Sequence, residues 1–188
     1  RASPTCRRRC PTARSTSSGG LVVEGRLLAE GRKEAPIHFV PASDVQPGDW
    51  NGLVIRPKGP EAGASQLTHC HVSGAAVGIT LKSHAEADHK VVDCRVVNCA
   101  HAGILVDGVS RTLLKGNHVS GCGSAAGTIC GGIVLNESRY ALVQGNSITD
   151  CRRFGIVVNR GELNRIKRNT VRGISGKPGT RSMDWILN

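Results

Sequence analysis

From Leu67 onward, apolar residues come in short β-branched runs punctuated by Gly, Asn or Cys, and one run keeps returning. Leu113-Leu114-Lys115-Gly116-Asn117-His118-Val119-Ser120-Gly121-Cys122 is rewritten as Leu142-Val143-Gln144-Gly145-Asn146-Ser147-Ile148-Thr149-Asp150-Cys151. Altered copies begin at Leu67, Val91 and Ile166. Aligning them puts Cys70, Cys94, Asn117, Asn146 and Asn169 in one column, at intervals of 24, 23, 29 and 23 residues. The first four copies each lead to a Gly-Ile step, at Gly78-Ile79, Gly103-Ile104, Gly132-Ile133 and Gly155-Ile156. A period in the twenties marks a solenoid, whose units bury their apolar side only by stacking on one another. Leucine-rich repeats need Leu-x-x-Leu-x-Leu, which is not seen, and no helical period is present. Stacked all-β coils of about 23–25 residues are therefore expected.

Strand alternation sorts the columns into inside and outside. Leu67, Val91, Leu114, Val143 and Ile166 form one inward ladder, and Val72, Val96, Val119, Ile148 and Val171 another. Ile79, Ile104, Ile133 and Ile156 form a third, with Leu81, Val106, Leu135 and Val158 two residues on. Coils ~4.8 Å apart turn each ladder into a continuous aliphatic stack, and each fully buried member contributes roughly 1.5–3 kcal/mol.

A sharp bend lies between the first two ladders. Gly116 and Gly145 suit positive φ there, Asp93 tolerates it, and Arg168 fits it poorly, so a relaxed bend is expected at Arg168. Stacked Asn amides are expected to hydrogen-bond from coil to coil. Cys99, Cys122 and Cys151 share a further column, read as small apolar filler. The coil spacing also permits a disulfide, there or between Cys70 and Cys94. The long interval comes from extra residues around Gly123–Gly131, and such insertions often gather on a binding face.

Upstream, Leu21–Val23 and Ile37–Val40 read as two short strands, and Asp49–Ile55 as a third. Residues 1–20 hold five arginines, no acidic residue and no Leu, Ile, Val or Phe, so a disordered tail is expected. The resulting division is that tail, opening coils over 21–66, regular coils over 67–175, and a further coil or C-terminal tail over 176–188.

Composition changes this picture in a few places. The net charge of +11 falls to +6 over 21–188, with twenty basic and fourteen acidic residues, which argues against nucleic acid as a partner. No run of 18 apolar residues occurs, so no membrane span is expected. Arg7-Arg8-Arg9 precedes polar residues rather than the apolar core of a signal peptide. The chain does not open on Met, and flanking parts of a longer chain are expected. The eight cysteines include no Cys-x-x-Cys pair.

The repeated Gly-Asn-x-Val/Ile followed by Gly-Ile-x-Val resembles the right-handed parallel β-helix superfamily, which includes pectate lyases and polygalacturonases. Ala35-Pro36-Ile37-His38-Phe39 and Pro47-Gly48-Asp49-Trp50-Asn51-Gly52-Leu53 look like the opening coils of bacterial envelope members. The resemblance implies an all-β, right-handed parallel β-helix over 21–175. It also implies a secreted or cell-envelope location. Its implications for chemistry are limited, because the fold hosts several activities. Arg165-Ile166-Lys167 matches a substrate-binding tripeptide of polygalacturonases, yet the three aspartates and Gly-His-Gly that accompany it there are absent. The Asp-Pro-His-Asp of epimerase relatives is absent too.

One outward column reads His71, Arg95, His118, Ser147, Thr170; another reads Thr68, Val92, Lys115, Gln144, Lys167. Because both flank the bend, His71, Arg95, Lys115 and His118 are the candidate substrate-binding residues, a basic patch suited to a uronate. Tyr140, the aromatic residue expected to be exposed, is the fifth candidate substrate-binding residue, as a platform for a sugar ring. His84, Asp88 and His89 share a loop, read as a polar turn rather than a metal site. Asp88, Asp93, Asp107 and Asp150 fall in different columns and assemble no calcium site. Calcium enters only under a lyase reading, and no other cofactor is expected. The favoured expectation is a module that binds an acidic polysaccharide without a complete catalytic set. A polysaccharide lyase or glycosidase, and a structural stalk or adhesin segment, are the alternatives.

Overall fold

The structure, a computed structural model, describes residues 13–14, 19–41, 46–59, 62–83, 87–125, 130–176 and 185–187. The described residues form strands, turns and bends. A short strand β1 (Ala13–Arg14) comes first, and the chain then runs through successive strand triplets. The opening triplets are β2 (Leu21–Val23), β3 (Leu28–Glu30) and β4 (Ile37–Phe39), then β5 (Leu53–Ile55), β6 (Gln66–Thr68) and β7 (Cys70–Ser73). Next come β8 (Val77–Lys82), β9 (Lys90–Val92) and β10 (Arg95–Val97), then β11 (Ala102–Asp107), β12 (Leu113–Lys115) and β13 (His118–Ser120). The last are β14 (Gly131–Asn136), β15 (Leu142–Gln144) and β16 (Ser147–Thr149), then β17 (Ile156–Asn159), β18 (Arg165–Lys167) and β19 (Asn169–Arg172), before β20 (Trp185–Leu187).

Each triplet contributes one strand to each of three sheets. The first sheet runs β1-β2-β5-β8-β11-β14-β17, the second β3-β6-β9-β12-β15-β18, and the third β4-β7-β10-β13-β16-β19-β20. All pairings from β2 to β19 are parallel, while β1 and β20 add antiparallel strands to the edges at β2 and β19. This is a parallel β-solenoid with three faces.

The inward ladders lie in the expected register, as in Leu67↔Val91↔Leu114↔Val143↔Ile166 and Ile79↔Ile104↔Ile133↔Ile156. Ala29, Phe39, Leu53 and Ile55 extend them into the opening coils. Burial fades at the far end, where Ile156 and Ile166 are half-buried and Val158 is exposed. The opening coils hold more order than their sequence announces. β3 fills the gap between the two strands read over 21–40, and the strand read over 49–55 is confined to Leu53–Ile55. The alternation Leu27-Leu28-Ala29 is too brief to stand out from coil without its neighbour β6 beside it.

Glycine at the Gly-Ile step is set by packing. A methyl group on Gly103 would overlap Cγ1 of Val119 across the core and crowd the Gly132 carbonyl of the next coil. Gly78, Gly132 and Gly155 meet equivalent neighbours, so the first and third sheets approach too closely there for a Cβ.

The bend between the second and third sheets is a single residue in the left-handed region, occupied by His69, Asp93, Gly116, Gly145 and Arg168. Arg168 holds φ at 56°, so the bend expected to relax does not. The residue that follows explains why. Asn146 Nδ2 donates to Asn169 Oδ1 at 2.8 Å, the Asn146 N–H donates to that oxygen at 2.8 Å, and Asn169 Nδ2 donates to the Val143 carbonyl at 2.9 Å. This buried network over-determines the backbone around Arg168.

The six described cysteines are free and buried. In Cys94, Cys99, Cys122 and Cys151 the thiol sits near the carbonyl two residues earlier, as Cys122 does with Ser120 at 3.4 Å. Neighbouring thiols and burial push Cys70 and Cys151 well above the ordinary thiol range. They act as filler in the core. Most of 1–20 and of 177–188 lies outside the described residues.

Candidate functional site

The candidate residues sit on strands whose register decides what they meet. His71, Arg95 and His118 are directly paired on β7, β10 and β13, all pointing out of the third sheet. The opening coil adds a member that the repeat alignment, starting at Leu67, did not reach. His38 on β4 pairs with His71, their ring centroids 5.2 Å apart. The signal was present in Ile37-His38-Phe39, whose alternation matches Cys70-His71-Val72. The row is His38, His71, Arg95, His118, Ser147 and Thr170, with no carboxylate in it.

Lys115 lies across the bend on β12, in register with Val92 and Gln144. Arg95 and Lys115 are exposed and form no ion pair among the described residues. Asp93, also exposed, sits at the bend itself and interrupts the positive surface. Tyr140 is 55% exposed but lies elsewhere, in the turn from β14 to β15 between the first and second sheets. The structure thus brings four of the five candidates to one edge and leaves Tyr140 apart.

Electrostatics on this edge favour neutral imidazoles. Burial, then His38 and Arg95, hold His71 below its ordinary value of 6.5. Burial and Arg95 lower His118 in the same way, against an opposing pull from Asp150. The Nε2 atom of His71 is buried without a hydrogen-bond partner.

The loop with His84, Asp88 and His89 is committed differently. His84 lies outside the described residues. Both Asp88 oxygens accept from Arg111, at 2.8 and 2.7 Å. His89 is fully buried, its Nδ1 accepting the Ser65 N–H at 2.9 Å. Among the described residues no group of three or more His, Cys, Asp or Glu side chains is placed to hold a metal. Asp107 accepts from Asn136 at 2.6 Å and pairs with Lys82 at 3.0 Å.

The insertion falls between β13 and β14, at the turn from the third sheet to the first, away from the bend that carries the basic edge. Its Cys130 is buried, with Sγ 3.4 Å from the Ala125 carbonyl and 3.9 Å from His101 Nδ1.

Three parallel sheets of short strands, with Asn and aliphatic ladders in register, are now joined by an independent comparison. The family described as right handed beta helix region matches residues 58–182. The chain belongs to that family. No curated protein and no solved structure matches it. Family membership gives this β-helix its architecture and the hand of its coil. No helix of the described residues is long and apolar enough to cross a membrane.

Proposed function

We propose that this β-helix is a binding module for an acidic polysaccharide, located outside the cell or in its envelope, and that it acts by recognition rather than turnover. The observation that supports this reading is the row His38, His71, Arg95, His118, with Lys115 beside it. These residues stack at the coil spacing on an exposed edge, and their row contains no carboxylate. Guanidinium binds carboxylate or sulfate bidentately, and a stacked row presents its donors to successive units of a linear polymer. Among the described residues the acidic side chains offer no matching pair for glycoside cleavage at this bend, which Asp93 occupies in one coil.

The test is retention of the chain in gels containing polygalacturonate or alginate, run beside neutral glucan. Slower migration in the acidic gels alone is the expected result. Absorbance of an unsaturated uronate product, followed with and without Ca²⁺, is expected to stay flat. Turnover abolished by Arg95→Ala or His118→Ala would replace the binding module with a lyase.

A further inference from the structure

The positive charge of the folded region is not spread along the solenoid. Residues 21–149 hold eleven basic and eleven acidic residues and balance, whereas 150–176 hold seven basic against two acidic. The excess is therefore confined to the last described coil. Within it, Arg165 and Lys167 point outward from β18, Arg168 occupies the left-handed bend, and Arg172 points outward from β19. All four are exposed, and none forms an ion pair among the described residues. Two carboxylates lie nearby. Glu162 pairs with Arg139 at 3.3 Å, and Asp150 sits one coil back beside Arg172, its N–H donating to the Arg172 carbonyl at 3.0 Å, without an ion pair among the described residues.

We infer that Arg165, Lys167, Arg168 and Arg172 form the principal anchor for the polyanion, with the His71–Arg95–Lys115–His118 edge as its extension. This rests on the binding-module reading and shifts its centre. Register makes the two regions one surface. Lys167 continues the column of Gln144 and Lys115, and Thr170 continues that of Ser147 and His118. Two coil spacings, about 10 Å, separate Lys115 from Lys167, a span that a few sugar units of a linear polymer cover. Cations that have no carboxylate partner meet a ligand without first breaking an ion pair. Those midway must compete with Asp93.

The surface is a convex edge between two sheets, which suits an extended chain lying across it rather than an enclosed small molecule. A glycan fits it better than a single-stranded nucleic acid, which needs aromatic platforms for its bases. Tyr140 and Phe154 are exposed, but both lie on turns that border the first sheet. No Phe, Tyr or Trp side chain on the strands from β3 to β19 points outward from the second or third sheet. The inference comes from charge distribution and exposure, so it does not depend on the Arg165-Ile166-Lys167 tripeptide as a motif.

The experiment compares the full chain with Lys167→Gln/Arg168→Gly/Arg172→Gln and with Arg95→Gln/Lys115→Gln. Affinity is measured for polygalacturonate, alginate, heparin and a single-stranded oligonucleotide across a salt series. The triple variant is expected to lose about tenfold or more in glycan affinity and to show a shallower salt dependence. The double variant should lose only a few-fold. Arg168→Gly by itself places at the bend the residue that Gly116 and Gly145 already supply, so its weaker binding would be read in a coil that keeps its fold. A larger loss in the double variant than in the triple one would overturn the anchor while leaving the binding module intact. Wild-type protein that binds none of the three glycans would sink the module and the anchor together. Tighter binding to the oligonucleotide than to every glycan at equal salt would overturn the choice of ligand.

Discussion

Asn117 and Asn146 are joined twice across neighbouring coils: the Asn117 side-chain amide and its backbone N–H both donate to Asn146 Oδ1, each at 2.9 Å. Asn146 Nδ2 in turn donates to the Leu114 carbonyl at 3.0 Å. One side chain therefore satisfies backbone groups on both sides of the bend, where the strand ladders are broken and no water reaches. Asn146→Ala orphans the Asn117 N–H and the Leu114 carbonyl together. At about 1–3 kcal/mol for each buried unsatisfied group, urea unfolding should show a loss of about 3 kcal/mol or more. A loss below about 1 kcal/mol would mean that the bend is held by strand pairing instead.

Arg168 is the reverse case. It keeps φ at 56° where two other coils use glycine. Left-handed backbone costs an L-residue with a Cβ roughly 1–2 kcal/mol, less what glycine adds to the freedom of the unfolded chain. Arg168→Gly should raise stability by about 1 kcal/mol, visible as a higher melting temperature. An unchanged or lower melting temperature would show that the guanidinium makes a stabilising contact.

At Gly103 the sign is opposite again. The methyl of Gly103→Ala has nowhere to go between Val119 and the Gly132 carbonyl. Overpacking of this kind costs about 1–3 kcal/mol. The paired change Gly103→Ala/Val119→Ala should recover part of it, since the nearest obstruction is a Val119 methyl. No recovery in the double variant would place the clash at the backbone carbonyl.

His89 makes the fold sensitive to acid. Its Nδ1 accepts a backbone N–H, so the folded ring is neutral, and burial holds it below 6.5 despite the opposing charge of Asp88. The unfolded chain takes up a proton near 6.5 while the folded chain does not. Stability is thus fully present above that value and declines as pH falls from it toward the lower folded value. His71 and His118 add to the same trend. His89→Asn, which keeps an acceptor for Ser65 as Asn164 does for Ala141, should flatten the decline between about pH 7 and pH 5. An equally steep decline in the variant would assign the acid sensitivity to the surface histidines.

Ligand binding should respond to pH with the opposite sign. His71 and His118 are neutral near pH 7, and a polyanion beside them favours their protonated forms. Glycan affinity should therefore rise as pH falls below about 6, with proton uptake on binding. Calorimetry in buffers of different ionisation heat measures that uptake directly. Release of protons, or none at all, would remove the two histidines from the binding surface.

The ladders were readable because an aliphatic column repeated at coil spacing has only one way to be buried, and strand alternation then sets every neighbour's side. His71, Arg95, Lys115 and His118 are placed outward by the sequence alone for that reason. His38 was missed although Ile37-His38-Phe39 carries the same alternation, since its coil has Ile37 in the column that Cys or Asn marks in the later copies. His89 looked like part of a polar loop, because burial there depends on Ser65 one coil below and on the turn that folds it inward. The anchor at Arg165–Arg172 was hidden in a total charge that a basic tail inflates.

What the residue order determined by itself is local and periodic. The β-branched runs, the Asn column and the interval between copies lead to stacked parallel strands, because each unit lacks a core of its own. What the tertiary structure decided is everything that depends on a neighbour in the next coil. Arg168 keeps its unfavourable φ because Asn146 and Asn169 bond around it, and Gly103 must lack a side chain because Val119 lies opposite. Cross-coil contacts join residues more than twenty positions apart, so their geometry exists only once the stack has closed.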